Sequence, residues 1–185
     1  MIKPIQIKNF ITKEECETII LMGENHELDY TKTSNPSTNE QYYDFSFNKK
    51  KSVFINSSDF IGDLTKKIIK TINELNILSG TKYSHIKYYQ FNKYTENDFL
   101  NYHSDNAELK NGATITVVVE LSENYDGGDF HYVIDNQELK FEKGLGSLYI
   151  FDSHTLHKVS EVKNGVRYSL NAWPSLILKN NKSLL

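Results

Sequence analysis

Cysteine is scarce in this sequence of 185 residues, and its scarcity excludes several kinds of site. The single cysteine, Cys16, has no partner for an intramolecular disulfide, and no cysteine cluster is present that could hold zinc or an iron–sulfur centre. A chain of this length buries roughly two thirds of its unfolded surface without a disulfide or a structural metal. We therefore expect a single domain over residues 1–185 that folds in a reducing compartment.

Long apolar runs and an excess of positive charge are also missing. Residues 1–8 lack the apolar core of a signal peptide, and the longest apolar-rich run, near residues 115–121, is too short to cross a membrane. The net charge of −3 gives no general basic surface for neutralising phosphates. The sequence thus predicts a cytoplasmic protein without a membrane partner and without general nucleic-acid binding, and it leaves the oligomeric state open.

Arginine is nearly absent: of 21 lysine and arginine residues, only Arg167 is an arginine. A guanidinium presents a planar fork that grips a carboxylate with two hydrogen bonds, whereas an ammonium acts as a point charge. In a chain so rich in lysine, a single arginine indicates a position where lysine does not substitute. Arg167 is therefore a candidate for binding a carboxylate.

The first 80 residues predict two helices. Thr12 and Glu15 form the sequence pattern of a capping box ahead of a helix over residues 13–22. Cys16 lies on the apolar stripe of this helix, so it is expected to be a small core residue. Apolar residues recur at three- and four-residue steps through residues 58–76, which is typical of a second, amphipathic helix.

The segments between these helices carry weaker signals. Residues 25–41, which are rich in Asn, Ser and Thr, are expected to form a mobile loop that could act as a lid. Aromatic residues in weak alternation predict a strand over residues 42–47. The three lysines at positions 49–51 are expected to form a solvated turn.

After residue 80 the sequence changes to short runs of β-branched and aromatic residues separated by turn signals. Strands at this spacing, after two helices, favour a β-sandwich or barrel over residues 81–178, supported by a helical region over residues 1–80. The predicted strands, together with a short one near the N-terminus, cover residues 5–10, 83–91, 114–121, 129–134, 138–141, 147–151, 157–162 and 166–173.

His103 and Asp105 stand two residues apart in a segment that is expected to be extended. Side chains at positions i and i+2 of a strand leave the same face. A further histidine on a neighbouring strand would complete the two-histidine, one-carboxylate face that holds non-haem Fe(II) and leaves other coordination positions open. His154 and His157 both qualify, and spacing alone does not choose between them.

A series of motifs follows one order along the second half of the chain. It comprises YYQFNKY (88–94), HSD (103–105), VELSENYDGGDF (119–130), GSLYIF (146–151), HKV (157–159) and GVRYSL (165–170), and it closes at Trp173. In this order, the series resembles the Fe(II)/2-oxoglutarate-dependent oxygenases of the prolyl-4-hydroxylase-like group, in particular their small bacterial and phage members. The residues before the series match that family only in outline.

The resemblance implies a mainly β (α+β) fold with N-terminal helices, in which a double-stranded β-helix of the jelly-roll or cupin-like type holds iron at one open end. It implies that Fe(II) is bound by His103, Asp105 and His157, that 2-oxoglutarate and O2 take the remaining positions, and that ascorbate serves as a reductant. Arg167 falls where the family binds the distal carboxylate of 2-oxoglutarate. The other expected contacts of the co-substrate are Ser169, Tyr94 and Trp173.

The implied reaction is an oxidation in which 2-oxoglutarate loses CO2 and becomes succinate while a substrate C–H bond is hydroxylated. The resemblance favours a prolyl residue in a peptide or protein as the substrate, with residues 25–41 or 106–112 folded over it. Alternatives are the same chemistry on a small molecule or nucleobase, a non-catalytic β-sandwich binding module, and a zinc hydrolase with the same three ligands. A zinc hydrolase would have no need of Arg167 in its present place.

Two details depart from the family pattern or test it. The family commonly has glycine a few residues after the tyrosine matched by Tyr94, and this chain has Asn97 there, which still tolerates a left-handed backbone. If residues 164–165 formed a two-residue hairpin turn, His157 would lie on the face away from Arg167. A shared site therefore requires a bulge, a bend, or strands that belong to opposite sheets.

Overall fold

The computed structural model describes residues 2–35, 37–57, 62–77, 79–105 and 114–177. These residues form a mainly β fold with two helices, α1 (Lys13–Glu24) and α2 (Gly62–Glu74). The strands are β1 (Ile5–Ile7), β2 (Asp29–Tyr30), β3 (Thr33–Ser34), β4 (Gln41–Tyr42), β5 (Asn48–Lys49), β6 (Lys51–Asn56), β7 (Tyr83–His85), β8 (Tyr88–Tyr94), β9 (Phe99–His103), β10 (Ile115–Glu120), β11 (Tyr125–Gly127), β12 (Phe130–Ile134), β13 (Gln137–Lys140), β14 (Leu148–Asp152), β15 (His157–Val159), β16 (Val162–Gly165), β17 (Arg167–Ala172) and β18 (Ser175–Leu176).

Two antiparallel sheets make up the body of the fold. Seven strands in the order β1-β14-β10-β17-β8-β6-β2 form the larger sheet, and five strands in the order β13-β12-β15-β9-β5 form the smaller one. Two-stranded ladders join β11 to β16, β18 to β7 and β3 to β4. This architecture confirms the expected double-stranded β-helix core with helices near the N-terminus. Neither of the two described helices is long and apolar enough to span a membrane.

The larger sheet is covered on both faces, because alternate residues of its strands point into different cores. One core lies between this sheet and the helices, where Val117 and Leu170 pack in one cluster with Cys16 and Ile68. The other core lies between the two sheets. Its members include Val118, Tyr149 and Phe151 of the larger sheet and Phe130 and Val159 of the smaller one.

The start of α1 follows the sequence prediction. The Thr12 hydroxyl accepts from the backbone N–H of Glu15 at 3.2 Å, and the Glu15 carboxylate accepts from the backbone N–H of Thr12 at 2.7 Å. The capping box is therefore confirmed. Cys16 is fully buried, and burial raises the pKa of its thiol to about 12, which confirms a core residue. Residues 58–61 of the second predicted helix lie outside the described residues.

The region between the helices contains more sheet than the sequence indicates. The short strands β2 and β3 lie within the stretch that is expected to be a loop. The strand predicted over residues 42–47 is wrong: pairing ends at Tyr42, and residues 45–47 form a turn. Within the described residues the ladder between β3 and β4 ends at Tyr42, and weak alternation alone does not extend a strand.

The solvated turn predicted at residues 49–51 is also wrong. Lys49 ends β5 in the smaller sheet, and Lys51 begins β6 in the larger sheet. Lys50 lies at this crossing between the sheets and is only 2% exposed. A run of lysines is ordinarily solvated, and only the passage of the chain from one sheet to the other buries the middle one.

A site shared by His157 and Arg167 requires a bulge, a bend, or strands that belong to opposite sheets, and the structure shows the last of these. β15 belongs to the smaller sheet and β17 to the larger one, so His157 and Arg167 lie on strands of opposite sheets. Between them, β16 pairs with β11, which divides the strand predicted over residues 157–162 into two. Asn97 has a φ of +64°, the left-handed conformation that the sequence allows.

Candidate active site

Three ligand-type side chains converge where β9 and β15 lie side by side. His103 ends β9, Asp105 follows it, and His157 begins β15 as the direct cross-strand partner of His103. Oδ1 of Asp105 lies 3.5 Å from Nε2 of His103 and 3.7 Å from Nε2 of His157. One ligand atom from each residue lies within 4.8 Å of the other two. A single metal ion could therefore contact all three.

Backbone carbonyl groups select the tautomer of both histidines. Nδ1 of His103 lies 2.9 Å from the carbonyl oxygen of Asn101, and Nδ1 of His157 lies 2.8 Å from that of Thr155. A carbonyl oxygen can only accept, so each neutral imidazole carries its proton on Nδ1. Each Nε2 then keeps a lone pair for a metal, as is usual for metal-binding histidines.

The carboxylate of Asp105 is oriented through its other oxygen. Oδ2 accepts from the Thr116 hydroxyl at 2.6 Å and from the Trp173 indole N–H at 3.2 Å. Thr116 lies in β10 and Trp173 follows β17, so the larger sheet orients a ligand that follows a strand of the smaller one. The sequence predicts Trp173 as a contact of the co-substrate. It predicts no role for Thr116, which lies 11 residues from Asp105 along the chain.

Burial and neighbouring charges act differently on the candidate ligands. For His157, burial is the largest influence and lowers the pKa of the imidazole to about 4, so the ring is neutral at neutral pH. Burial alone would raise the pKa of Asp105. When the imidazoles are protonated, their positive charges and a hydrogen bond from His103 outweigh burial and lower the Asp105 pKa below its usual range. The cluster thus offers an ionised carboxylate beside a neutral imidazole, a donor set suited to Fe(II).

Aromatic rings surround the two imidazoles. Phe130 stacks on His157 with 5.4 Å between ring centroids, and Phe151 meets the same imidazole edge-on at 4.9 Å. Phe47 meets His103 edge-on at 6.3 Å. These rings restrict the orientation of the histidines and limit the access of water from behind the site.

A cavity of about 90 Å³ opens beside the three candidate ligands. His103 and Asp105 form part of its wall, and residues 31–33, from the stretch that is expected to act as a lid, form another part. Lys50 also lines the cavity and donates to the side-chain oxygen of Asn92 at 2.5 Å. No sequence signal pointed to Lys50, because its burial depends on the crossing between sheets. The other lid candidate, residues 106–112, lies outside the described residues.

Arg167 is not among the residues that line this cavity; it begins β17 and is 1% exposed. Its guanidinium carbon stands 5.2 Å from the centre of the Tyr94 ring, and its Nη2 donates to Oε2 of Glu120 at 2.7 Å. Among the residues that the structure describes, Nε of Arg167 has no hydrogen-bond partner. A buried donor left in this state suits a further acceptor such as a carboxylate. Glu120 lies within a matched motif, yet its acidic side chain gave no signal of this pairing.

Two candidate residues from the sequence remain, Ser169 and His154. Ser169 shares the face of Arg167, and its hydroxyl donates to Asn171 at 3.3 Å and accepts from Asn92 at 3.4 Å. The side chain of His154 is 59% exposed, and its Nδ1 lies 2.9 Å from a carboxylate oxygen of Asp152. His154 therefore does not join the three converging side chains.

Comparisons with known proteins support the family that the motif series resembles. Residues 89–175 match the family described as the 2OG-Fe(II) oxygenase superfamily. Over 180 residues the chain is 26% identical to a PKHD-type hydroxylase of Prochlorococcus marinus (strain NATL2A), a match that covers 94% of this chain and 79% of that protein. These matches support an assignment to the 2OG-Fe(II) oxygenases. They favour an enzyme, a 2-oxoglutarate-dependent dioxygenase, over the binding module and the zinc hydrolase.

Solved structures share the fold of this chain. A prolyl hydroxylase from Trichoplax adhaerens, in complex with a hypoxia inducible factor oxygen degradation domain peptide fragment, matches with a TM-score of 0.75 at 18% identity, over 95% of this chain and 84% of that one. A Pseudomonas putida prolyl-4-hydroxylase matches with a TM-score of 0.71 at 18% identity, over 93% and 91% of the two chains. The chain therefore has a prolyl-4-hydroxylase-like fold.

Proposed function

We propose that this oxygenase binds Fe(II) through His103, Asp105 and His157 and hydroxylates a prolyl residue in a peptide or protein, with 2-oxoglutarate and O2 as co-substrates. The observation that carries the proposal is the convergence of three ligand atoms within 4.8 Å beside a cavity. When bound, the iron would supply the activation of O2 that protein side chains cannot provide. Succinate and CO2 are the expected co-products.

The side chains around the metal position have distinct tasks. His157 keeps a lone pair because burial holds it neutral, and Asp105 brings a negative charge that partly balances a divalent cation. Thr116 and Trp173 hold the second oxygen of Asp105 and leave the first one directed at the imidazoles. Partners of this kind commonly contribute a factor of about 10–100 to metal affinity.

Arg167 is the proposed anchor for the distal carboxylate of 2-oxoglutarate. It is buried between the sheets, and its Nε lacks a partner among the described residues. The ring of Tyr94 lies against the guanidinium and restricts its plane. Ser169, two residues along the same face, offers a hydroxyl that could donate to the same carboxylate.

The rim of the cavity supports a prolyl substrate. Phe54 and Trp173 both line the cavity, their ring centroids are 6.4 Å apart, and Phe54 is 60% exposed. Exposed aromatic rings are the surfaces on which proline-containing segments commonly dock. The restricted backbone of such a segment lowers the cost of ordering it on binding. The similarity to a prolyl hydroxylase in complex with a peptide supports the same substrate class.

The experiment offers the Fe(II)-loaded enzyme a proline-rich peptide library together with 2-oxoglutarate. We expect mass spectrometry to find a gain of one oxygen atom on proline that depends on 2-oxoglutarate. Formation of succinate with another compound, without oxygen on proline in the peptides or in proteins of a cell lysate, would overturn the prolyl assignment. The oxygenase chemistry would then stand alone. Ascorbate as a reductant and a cytoplasmic location remain predictions.

A pair of variants separates peptide binding from the chemistry. Phe54→Ala is expected to raise the KM for a hydroxylated peptide several-fold, while the KM for 2-oxoglutarate stays unchanged. Leu21→Ala serves as the matched control, because Leu21 is 65% exposed on α1 and does not line the cavity. Equal peptide KM values for the two variants would show that the aromatic rim does not bind the peptide.

A further inference from the structure

The proposed anchor of the co-substrate already holds a carboxylate of this chain. Arg167 donates to Oε2 of Glu120 at 2.7 Å, and both side chains are 1% exposed. Oε1 of Glu120 accepts from the Tyr125 hydroxyl at 3.2 Å. The buried pair is therefore neutral as a whole, and each carboxylate oxygen of Glu120 has a partner.

Glu120 is built into the middle of the fold. It ends β10, a central strand of the larger sheet whose six residues are all buried. Its backbone N–H donates to the carbonyl of Ser147 at 2.9 Å, and its carbonyl accepts from the N–H of Gly146 at 2.8 Å. The strand therefore fixes the backbone of Glu120, and the contacts with Arg167 and Tyr125 hold its carboxylate at the guanidinium.

Arg167 keeps one donor, Nε, without a partner among the described residues, and a second carboxylate could accept from it. The charge balance of the buried pair opposes a second ionised carboxylate. Two ionised carboxylates would then share one guanidinium in a buried space. Like charges that share a buried site do not both stay ionised, and one of the two groups takes a proton.

We propose that 2-oxoglutarate binds to this oxygenase together with one proton, which Glu120 takes up from solvent. The only bond formed in this step is the O–H bond on the Glu120 carboxyl group. Its other oxygen continues to accept from Arg167, and the new O–H can donate to the incoming carboxylate. The inference rests on the proposed role of Arg167 as the anchor for 2-oxoglutarate.

The other titratable groups that face Glu120 are already protonated. Arg167 keeps its charge at all relevant pH values, and the Lys143 ammonium lies 3.6 Å from a carboxylate oxygen of Asp129. Burial raises the pKa of Glu120 itself against the opposing effect of Arg167, which favours uptake at this group. Burial also raises the pKa of the surrounding hydroxyl and thiol groups, which belong to Tyr94, Tyr125, Tyr149 and Cys16.

The test is calorimetric titration of 2-oxoglutarate into the Mn(II)-loaded full-length protein, between pH 6 and pH 9. At each pH, two buffers with different ionisation enthalpies report the number of protons taken up. We expect uptake to approach one proton per 2-oxoglutarate at the upper end of the range, where free Glu120 is ionised. The affinity should weaken there by about tenfold per pH unit. Because Mn(II) is loaded first, protons that the metal displaces from its binding side chains are released before the titration begins.

The variant Glu120→Gln should bind 2-oxoglutarate without proton uptake and with an affinity that does not change over this range. Glu123→Gln is the matched control, because Glu123 is exposed just after β10, and it should behave as the wild-type protein does. Binding by the wild-type protein without proton uptake at any pH would overturn the inference alone, even if Glu120→Gln does not fold. Absence of binding to the wild-type protein would overturn the proposed anchor as well.

Discussion

At the scale of single residues, hydrogen bonds decide which atoms face the metal position. Two backbone carbonyls hold the protons of His103 and His157 on Nδ1, and Thr116 and Trp173 occupy the outer oxygen of Asp105. The three remaining lone-pair atoms converge as a consequence. Hydrogen-bond partners of this kind fix the orientation of metal-binding side chains.

The choice between the two downstream histidines can be tested directly. His157→Ala removes one of the converging nitrogen atoms and is expected to lower Mn(II) affinity by about a hundredfold or more, and to abolish succinate formation. His154→Ala is the control and should retain both properties, because its ring is 59% exposed and faces Asp152. Calorimetric metal titration and a succinate assay give the two readouts. The opposite pattern would reassign the ligand.

A second residue-scale prediction concerns the guanidinium. Arg167→Lys replaces a fork by a single ammonium and is expected to raise the KM for 2-oxoglutarate at least about tenfold, or ~1.4 kcal/mol. The KM is measured from 2-oxoglutarate decarboxylation at saturating Fe(II). Lys143→Arg keeps the nearby charge and should leave the KM unchanged. If Arg167→Lys also leaves it unchanged, the distal carboxylate binds elsewhere.

At the scale of secondary-structure elements, α1 approaches the larger sheet through a glycine. A Cβ atom on Gly23 would lie 2.5 Å from atoms of the Phe91 ring. Phe91 is fully buried and stacks against Tyr168 with 5.8 Å between centroids, so its ring has little freedom to move away. The glycine thus sets how closely helix and sheet pack.

Gly23→Ala is therefore expected to destabilise the fold by roughly 1–3 kcal/mol through overpacking, even though alanine favours a helix over glycine by about 1 kcal/mol. Denaturation in urea measures the change. Gly62→Ala is the matched control at the start of α2, where a Cβ would meet nothing within 4 Å and the change should be neutral or stabilising. Equal effects of the two substitutions would contradict the packing of α1 described above.

At the scale of the whole molecule, the proposed metal position connects the two sheets. The candidate ligands lie on or next to β9 and β15 of the smaller sheet, while the groups that orient Asp105 come from the larger sheet. An ion bound here links elements from distant parts of the chain. Its binding free energy should therefore add to the free energy of unfolding of the whole fold.

Mn(II) at a concentration of 100 times its Kd is expected to raise the free energy of unfolding by about 2.7 kcal/mol over the protein in a chelator. Urea denaturation with and without the ion measures the difference. His157→Ala should abolish this difference. A wild-type midpoint that does not respond to Mn(II) would show that the three side chains do not hold the ion. The assignment of residues 1–185 to one oxygenase domain stays a prediction.

Local patterns in the sequence were enough to predict much of this oxygenase, because they act over a few residues. The capping box at Thr12, the amphipathic second helix and most strands of the second half depend on such patterns. The ordered series of motifs, rather than spacing, favoured His157 over His154. It also predicts a role for Arg167, as the anchor of 2-oxoglutarate, that a lone arginine does not indicate.

The tertiary structure alone decided the contacts that join distant parts of the chain. The burial of Lys50 follows from the passage between sheets, and the pairing of Glu120 with Arg167 spans 47 residues. Trp173 reaches Asp105 across 68 residues. A lysine or glutamate has the same sequence signature whether it is solvated or enclosed, because its surroundings come from other strands. The charge balance of the site is therefore a property of the assembled sheets.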